Sequence, residues 1–348
     1  MAAAETFATG EPIGLQKPVF PIAAPETFGW AAMVVLLSLA SSNAWLGVGR
    51  DYLEYVDYFW RIPPFFSFQD TRFEPGFHLV SWVFAHVLKL PYQALFFTVV
   101  FASLAIKAFL FKRYLTYPLT AMAVYLATFY PSQEYTQIRA SLAISLGMLA
   151  IHTLFEKRFI LTGVICLAGF SFHYSIILLF CAFGGAYVLR RNIPSLIAVS
   201  IGLLVIVFTL ISGGGINNLL ISLFSNFNPL VGSYVDNVAA IDSTSMGSIN
   251  NLIVVAIFGA AAYAGWLSHG MYLKCFTIMV GLSIVFIILL SQSPIIAVRA
   301  KEMLMVSVIF ASFRYPWERR DIAPIILVFS NAALLLFLAI REGVIFSV

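Results

Sequence analysis

Apolar runs long enough to enter a bilayer follow one another from Phe28 to Ile340, and this succession constrains the fold more than any single motif does. A membrane-crossing helix needs about 20 largely apolar residues, with roughly 17 sufficing inside a bundle. Runs of that order lie at 28–46, 92–111, 117–131, 138–155, 159–172, 174–189, 193–212, 250–267, 272–291, 299–313 and 322–340, with a shorter one at 76–90. Only 10% of the residues are charged, against about 25% in a soluble domain. The expectation is an all-α integral membrane protein. A net charge of +4 gives nucleic-acid binding no support. Cys166, Cys181 and Cys275 sit inside apolar runs without a C-x-x-C pair and read as small packing residues.

Residues 1–27 carry Glu5, Glu11 and Glu26, four prolines and no apolar signal segment, so a mobile tail is expected before a single polytopic domain over 28–348. Basic connectors orient the spans. With a cytoplasmic N-terminus and 76–90 not crossing, Lys112-Arg113, Lys157-Arg158, Arg190-Arg191, Lys274 and Arg314, Arg319 and Arg320 all fall inside. If 76–90 crosses, the same connectors fall outside. The sequence therefore predicts about eleven transmembrane helices, with 76–90 docked at the outer surface and outer loops at 47–91 and 213–249. That topology collects Arg50, Arg61, Arg72, Arg139, His173 and Arg299 on one face. Cations placed against the orienting bias beside hydrocarbon read as ligands for an anion.

The first outer loop holds the densest charge, from Arg50 to Glu74. A helix begun at Asp51 places Asp51, Glu54, Tyr58 and Arg61 on one side and Leu53, Val56 and Trp60 on the other. This is the pattern of an interfacial helix, polar side to a site and apolar side to lipid. Pro63-Pro64 ends it, and Glu74-Pro75-Gly76 opens the next run. In the loop 213–249, asparagines and Tyr234 suit sugar hydroxyls, and equally suit a solvated connector.

Gly49-x-Asp51-Tyr52-x-x-Tyr55-x-x-x-Phe59, then Glu74-Pro75-Gly76-Phe77, Ile138-Arg139, Phe172-His173, and Arg299 with Glu302 occur in this order. Together, over roughly residues 28 to 315, they resemble the EpsG family of Wzy-like polymerases of bacterial exopolysaccharide, capsule and O-antigen. The resemblance implies a multi-spanning glycosyltransferase of GT-C-like architecture, with interfacial helices in the first outer loop. It implies an active site at the outer face of the bacterial inner membrane and a substrate of undecaprenyl-diphosphate-linked oligosaccharide. Further implied partners are the bilayer and the chain-length regulator and export proteins of the same pathway.

Such a transfer needs a base for the acceptor hydroxyl and cations for the departing diphosphate. Arg139 and Arg299, with Arg72, are the candidates for the diphosphate, because a guanidinium stays charged and bonds phosphate in a bidentate fork. The bland alternative for Arg139 is snorkelling or an ion pair with Glu134. Asp51 is the first candidate base, with Glu74 and His173 as rivals; an N-cap acid, a turn glutamate and a structural histidine are their plain readings. Tyr52, Tyr55, Tyr58 and Glu302 are the candidates for sugar contacts. Ser141, Ser145, Met148 and His152 form a stripe that reads as helix packing. No H-x-x-x-H or D-x-D pair and no glycine-rich phosphate loop occurs, so neither metal nor cofactor is expected. A ligase acting on a lipid-linked glycan shares this chemistry. A flippase would distribute its cations through the depth of a cavity instead.

Overall fold

The computed structural model describes residues 24–45, 51–67, 73–192, 249–267, 271–289, 294–314 and 316–341. They are built from helices, with no strand among the described residues. In chain order these are α1 (Ala24–Ser42), α2 (Tyr52–Arg61), α3 (Pro75–Trp82), α4 (Tyr92–Tyr114), α5 (Pro118–Thr128), α6 (Ile138–Phe155), α7 (Phe159–Phe172) and α8 (Ile176–Asn192). Then follow α9 (Ile249–Tyr263), α10 (Met271–Leu289), α11 (Pro294–Met305), α12 (Ser307–Phe313) and α13 (Ile322–Arg341). Tyr92–Tyr114, Ile138–Phe155 and Arg319–Arg341 are long and apolar enough to cross a membrane; the apolar stretches Glu26–Ser42 of α1 and Tyr272–Ile288 of α10 are shorter, as are the remaining apolar helices. The chain is a helical membrane protein. Its first helix begins at Ala24, inside the expected tail, while the run 193–212, most of the loop 213–249 and Arg72 lie outside the described residues.

Helix α6 lies at the centre, packed on α4, α7 and α8. Around it α1 lines α4, α10 joins α8 and α11, and α13 rests on α5 and α9. The stripe Ser141, Ser145, Met148 and His152 is buried. His152 lies flat on Tyr114 with ring centres 4.0 Å apart, as packing requires. The centre also holds charge. Lys107 of α4 and Glu134 of the turn before α6 form a buried ion pair at 2.7 Å. Glu134, a candidate partner for Arg139, is thus engaged by Lys107 instead. Removing one member of such a pair costs about 3–5 kcal/mol, because the other charge stays buried.

Helix α2 turns an aromatic face inward. Tyr52, Tyr55 and Phe59 are buried, against Phe73, Phe77 and Phe96 among others. Leu53 and Trp60 are exposed. Glu54 and Arg61 are exposed too, and Arg61 pairs with Asp57 at 2.7 Å. The charged stripe therefore does not face the protein as a unit. Large rings gain from burial at once, whereas each buried charge needs a partner.

Pro75 begins α3 where a missing N–H costs nothing. The eight residues of α3 and the five of the π-helical turn Val83–Val87 that continues it rise about 20 Å, short of the ~30 Å of a hydrocarbon core. Two histidines fasten this short element to the segment before it. His86 Nε2 donates to the Ile62 carbonyl at 3.1 Å, and His78 Nε2 to the Ser67 carbonyl at 2.9 Å. His78 Nδ1 is then the acceptor for the Tyr58 hydroxyl.

Gly76 allows α3 to touch α7. A Cβ there would lie 2.7 Å from the carbonyl oxygen of Ser171 and against its hydroxyl. Gly76→Ala is expected to lower stability by about 1–3 kcal/mol, read as an earlier thermal transition in detergent. An unchanged transition would show that α3 yields without cost.

Candidate active site

The elements above bring one acid to one cation and one imidazole. Glu74 stands immediately before α3, Arg139 is the second residue of α6, and His173 follows the last turn of α7. One Glu74 carboxylate oxygen receives the Arg139 guanidinium, and the other lies 2.7 Å from His173 Nδ1. A carboxylate can only accept, so Nδ1 carries the proton and the lone pair of the neutral ring is on Nε2. Burial alone would raise the Glu74 pKa. The bond to His173 and the charge of Arg139 outweigh it and hold the group down at about 2. Burial pushes His173 below its ordinary 6.5, Glu74 pulls it back up, and Arg139 and Arg299 add to the depression. At neutral pH the pair is a carboxylate beside a neutral imidazole.

Aromatic rings fix the cation. The Arg139 guanidinium sits 4.1 Å from the centre of the Phe73 ring, 5.4 Å from Tyr55 and 5.7 Å from Phe77. Its Nε also donates to the Tyr55 hydroxyl at 3.4 Å. Ring faces attract a cation without consuming its donors. Phe73 and Phe77 flank Glu74-Pro75-Gly76 in the sequence; their spacing about a turn carrying the acid is the one clue that they belong to the site.

A second pair borders this centre. Asp51, just before α2, lies 3.8 Å from Arg299 of α11, wider than a direct hydrogen bond. The Arg299 side chain keeps 25% of its surface exposed, against 15% for Arg139. Arg299 also acts electrostatically on Tyr55 and His173, which places the two pairs in one field.

Asp51, Tyr55, Glu74, Arg139, His173 and Arg299 thus converge from five places in the chain. Glu302 lies one turn beyond Arg299 on α11, and its backbone carbonyl accepts from Gln133 Nε2 at 3.5 Å. Two of the tyrosines are engaged elsewhere. The Tyr52 hydroxyl donates to the Ser42 carbonyl at 3.0 Å, and Tyr58 bonds to His78. Lys107 and Glu134 are the charged groups that the sequence pattern did not single out as a pair, since each sits alone in its own segment.

Fold and site define a helical membrane protein whose apolar body encloses a carboxylate, an imidazole and two guanidinium groups drawn from distant helices. The model of the EpsG family matches residues 28–344, and the chain belongs to that family of Wzy-like polysaccharide polymerases. No curated protein and no solved structure matches the chain.

Glu74→Ala removes the shared partner of Arg139 and His173. It is expected to cost about 3–5 kcal/mol of stability. A wild-type melting curve for the purified variant would show that Arg139 needs no carboxylate at Glu74.

Proposed function

We propose that the protein polymerises undecaprenyl-diphosphate-linked oligosaccharide repeat units at the outer face of the bacterial inner membrane. The observation that carries this reading is the meeting of the Glu74–His173 pair with Arg139 and Arg299 in a member of a polysaccharide polymerase family. The topology that goes with it has about eleven spans. The shortness of α3 and its π-helical turn supports the docked, non-crossing position of 76–90.

In this reading His173 Nε2 takes the proton of the acceptor hydroxyl as that oxygen attacks the anomeric carbon of the donor sugar. The bond from that carbon to the diphosphate oxygen breaks, and undecaprenyl diphosphate leaves with the electron pair. Glu74 orients the ring and stabilises the imidazolium that forms, as a carboxylate does for a catalytic histidine. A carboxyl group held at about 2 is too weak a base for the task. Arg299, the more exposed guanidinium, meets the diphosphate. Arg139 holds Glu74 ionised. Asp51 keeps Arg299 in place before substrate arrives. Glu302 and Tyr55 supply polar contacts beside the sugars. The bundle supplies the dry surroundings, and no cofactor or metal enters the scheme.

The decisive experiment presents the purified protein with a synthetic lipid-linked repeat unit. A ladder of longer glycans with release of undecaprenyl diphosphate, unaffected by chelator, is the expected result. Transport of the lipid-linked sugar without bond cleavage would overturn the assignment. In the same assay Arg299→Lys is expected to lose most of the turnover, since an ammonium does not reproduce the bidentate fork. Full activity would remove Arg299 from the diphosphate site.

The pH profile follows from the imidazole. The base must be unprotonated, so activity is present above the pKa of His173 and falls as pH drops through it. Burial and the two arginines that face it place that limb below 6.5, with Glu74 opposing them. A limb in kcat/KM above 6.5 would point to another base.

A further inference from the structure

The Lys107–Glu134 pair has no part in that scheme, yet it is buried where α4 meets the turn before α6. Lys107 Nζ donates to Glu134 at 2.7 Å, to the Ser103 hydroxyl at 2.8 Å and to the Ser141 hydroxyl at 2.9 Å. The same Glu134 oxygen accepts from Ser103 at 3.0 Å and from Ser141 at 2.6 Å, and its other oxygen accepts from Tyr125. Both charges are therefore fully partnered by groups of α4, α5 and α6.

Glu134 belongs to the turn between α5 and α6, and that turn reaches both halves of the site. Arg139 follows it directly in the chain. Gln133 Nε2 donates to the Glu302 carbonyl at 3.5 Å, one turn of α11 from Arg299. At its near end the Tyr130 hydroxyl donates to the Leu37 carbonyl of α1 at 2.8 Å. The turn carries backbone bonds of its own, among them Gln133 N–H to the Phe129 carbonyl at 2.7 Å, and Glu134 is its one charged residue.

We propose that the buried Lys107–Glu134 pair is a positioning device, which pins the turn at 129–137 and thereby sets the place of Arg139 relative to Arg299. It touches no substrate. A misplacement of about 1 Å in a catalytic constellation costs on the order of 100-fold in rate, so a device that fixes the turn acts on turnover rather than on substrate affinity.

This inference rests on the proposed polymerase reading, and the experiment separates the two. Wild-type protein inactive on lipid-linked repeat units sinks that reading and this one with it. Given an active wild type, Glu134→Gln, matched to it in folded fraction, is expected to lose about tenfold or more in kcat with KM unchanged. The acid limb of kcat/KM should also move, because Arg139 faces His173 across Glu74. The double variant Lys107→Met/Glu134→Gln, which leaves no uncompensated charge, should fold as the wild type does, since neutral replacement of a buried pair is well tolerated, yet keep the loss of turnover, because the turn is no longer pinned. Should Glu134→Gln not fold, Tyr125→Phe removes one donor to Glu134 without exposing a charge and is judged by the same readouts. A folded variant with the kcat and acid limb of the wild type overturns the proposal. So does a loss of activity that tracks the folded fraction while the limb stays in place.

Discussion

Ionised groups in an apolar bundle must be neutralised by direct contact, and the architecture follows from how the chain meets that demand. Glu74 is the clearest case. Its two oxygens are divided between Arg139 and His173, so α3, α6 and the end of α7 are joined through one carboxylate. Lys107 and Glu134 obey the same rule for α4 and the turn that precedes α6. Water is not on hand to solvate a stray charge in such surroundings, and a lone ion there would cost several kcal/mol. Helices that share a pair are therefore held in register more strictly than apolar contacts between interchangeable side chains would hold them.

Much of this was legible beforehand. Scarce charge and repeated apolar runs announce a helical membrane protein, and the order of short motifs marks Asp51, Glu74, Arg139, His173 and Arg299 as residues to watch. Pairing was not legible. Arg139 has carboxylates at several sequence distances, and nothing in a one-dimensional pattern prefers Glu74 over the nearer Glu134. Lys107 claims Glu134 from another helix, and only the packing of α4 on α6 reveals it. The helical periodicity of 52–61 was equally misleading about direction. A wheel separates charged from apolar residues, but three buried aromatics, Tyr52, Tyr55 and Phe59, lie between those faces and decide which way the helix turns.

Within the site the two arginines are not equivalent. Arg139 is surrounded by Phe73, Tyr55 and Phe77 and held by Glu74, so its donors and its ring neighbours are defined before any substrate binds. Arg299 stands farther from its acid and keeps more of its surface in reach. Arg139 is enclosed by its neighbours, while Arg299 keeps part of its surface open. The same distinction applies to the acids: Glu74 is locked, and Asp51 is paired at a distance.

Asp51 and Arg299 stand near opposite ends of the chain, with most of the helices between them. A ribosome adding 5–20 residues per second needs on the order of tens of seconds to reach the arginine after making the aspartate. Once His173 has been made, Glu74, Arg139 and His173 are available to one another while Arg299 is still unmade. The centre is thus completed only near the close of synthesis. Until then the nascent chain lacks the more exposed of its two guanidinium groups, and Asp51 has no Arg299 to face.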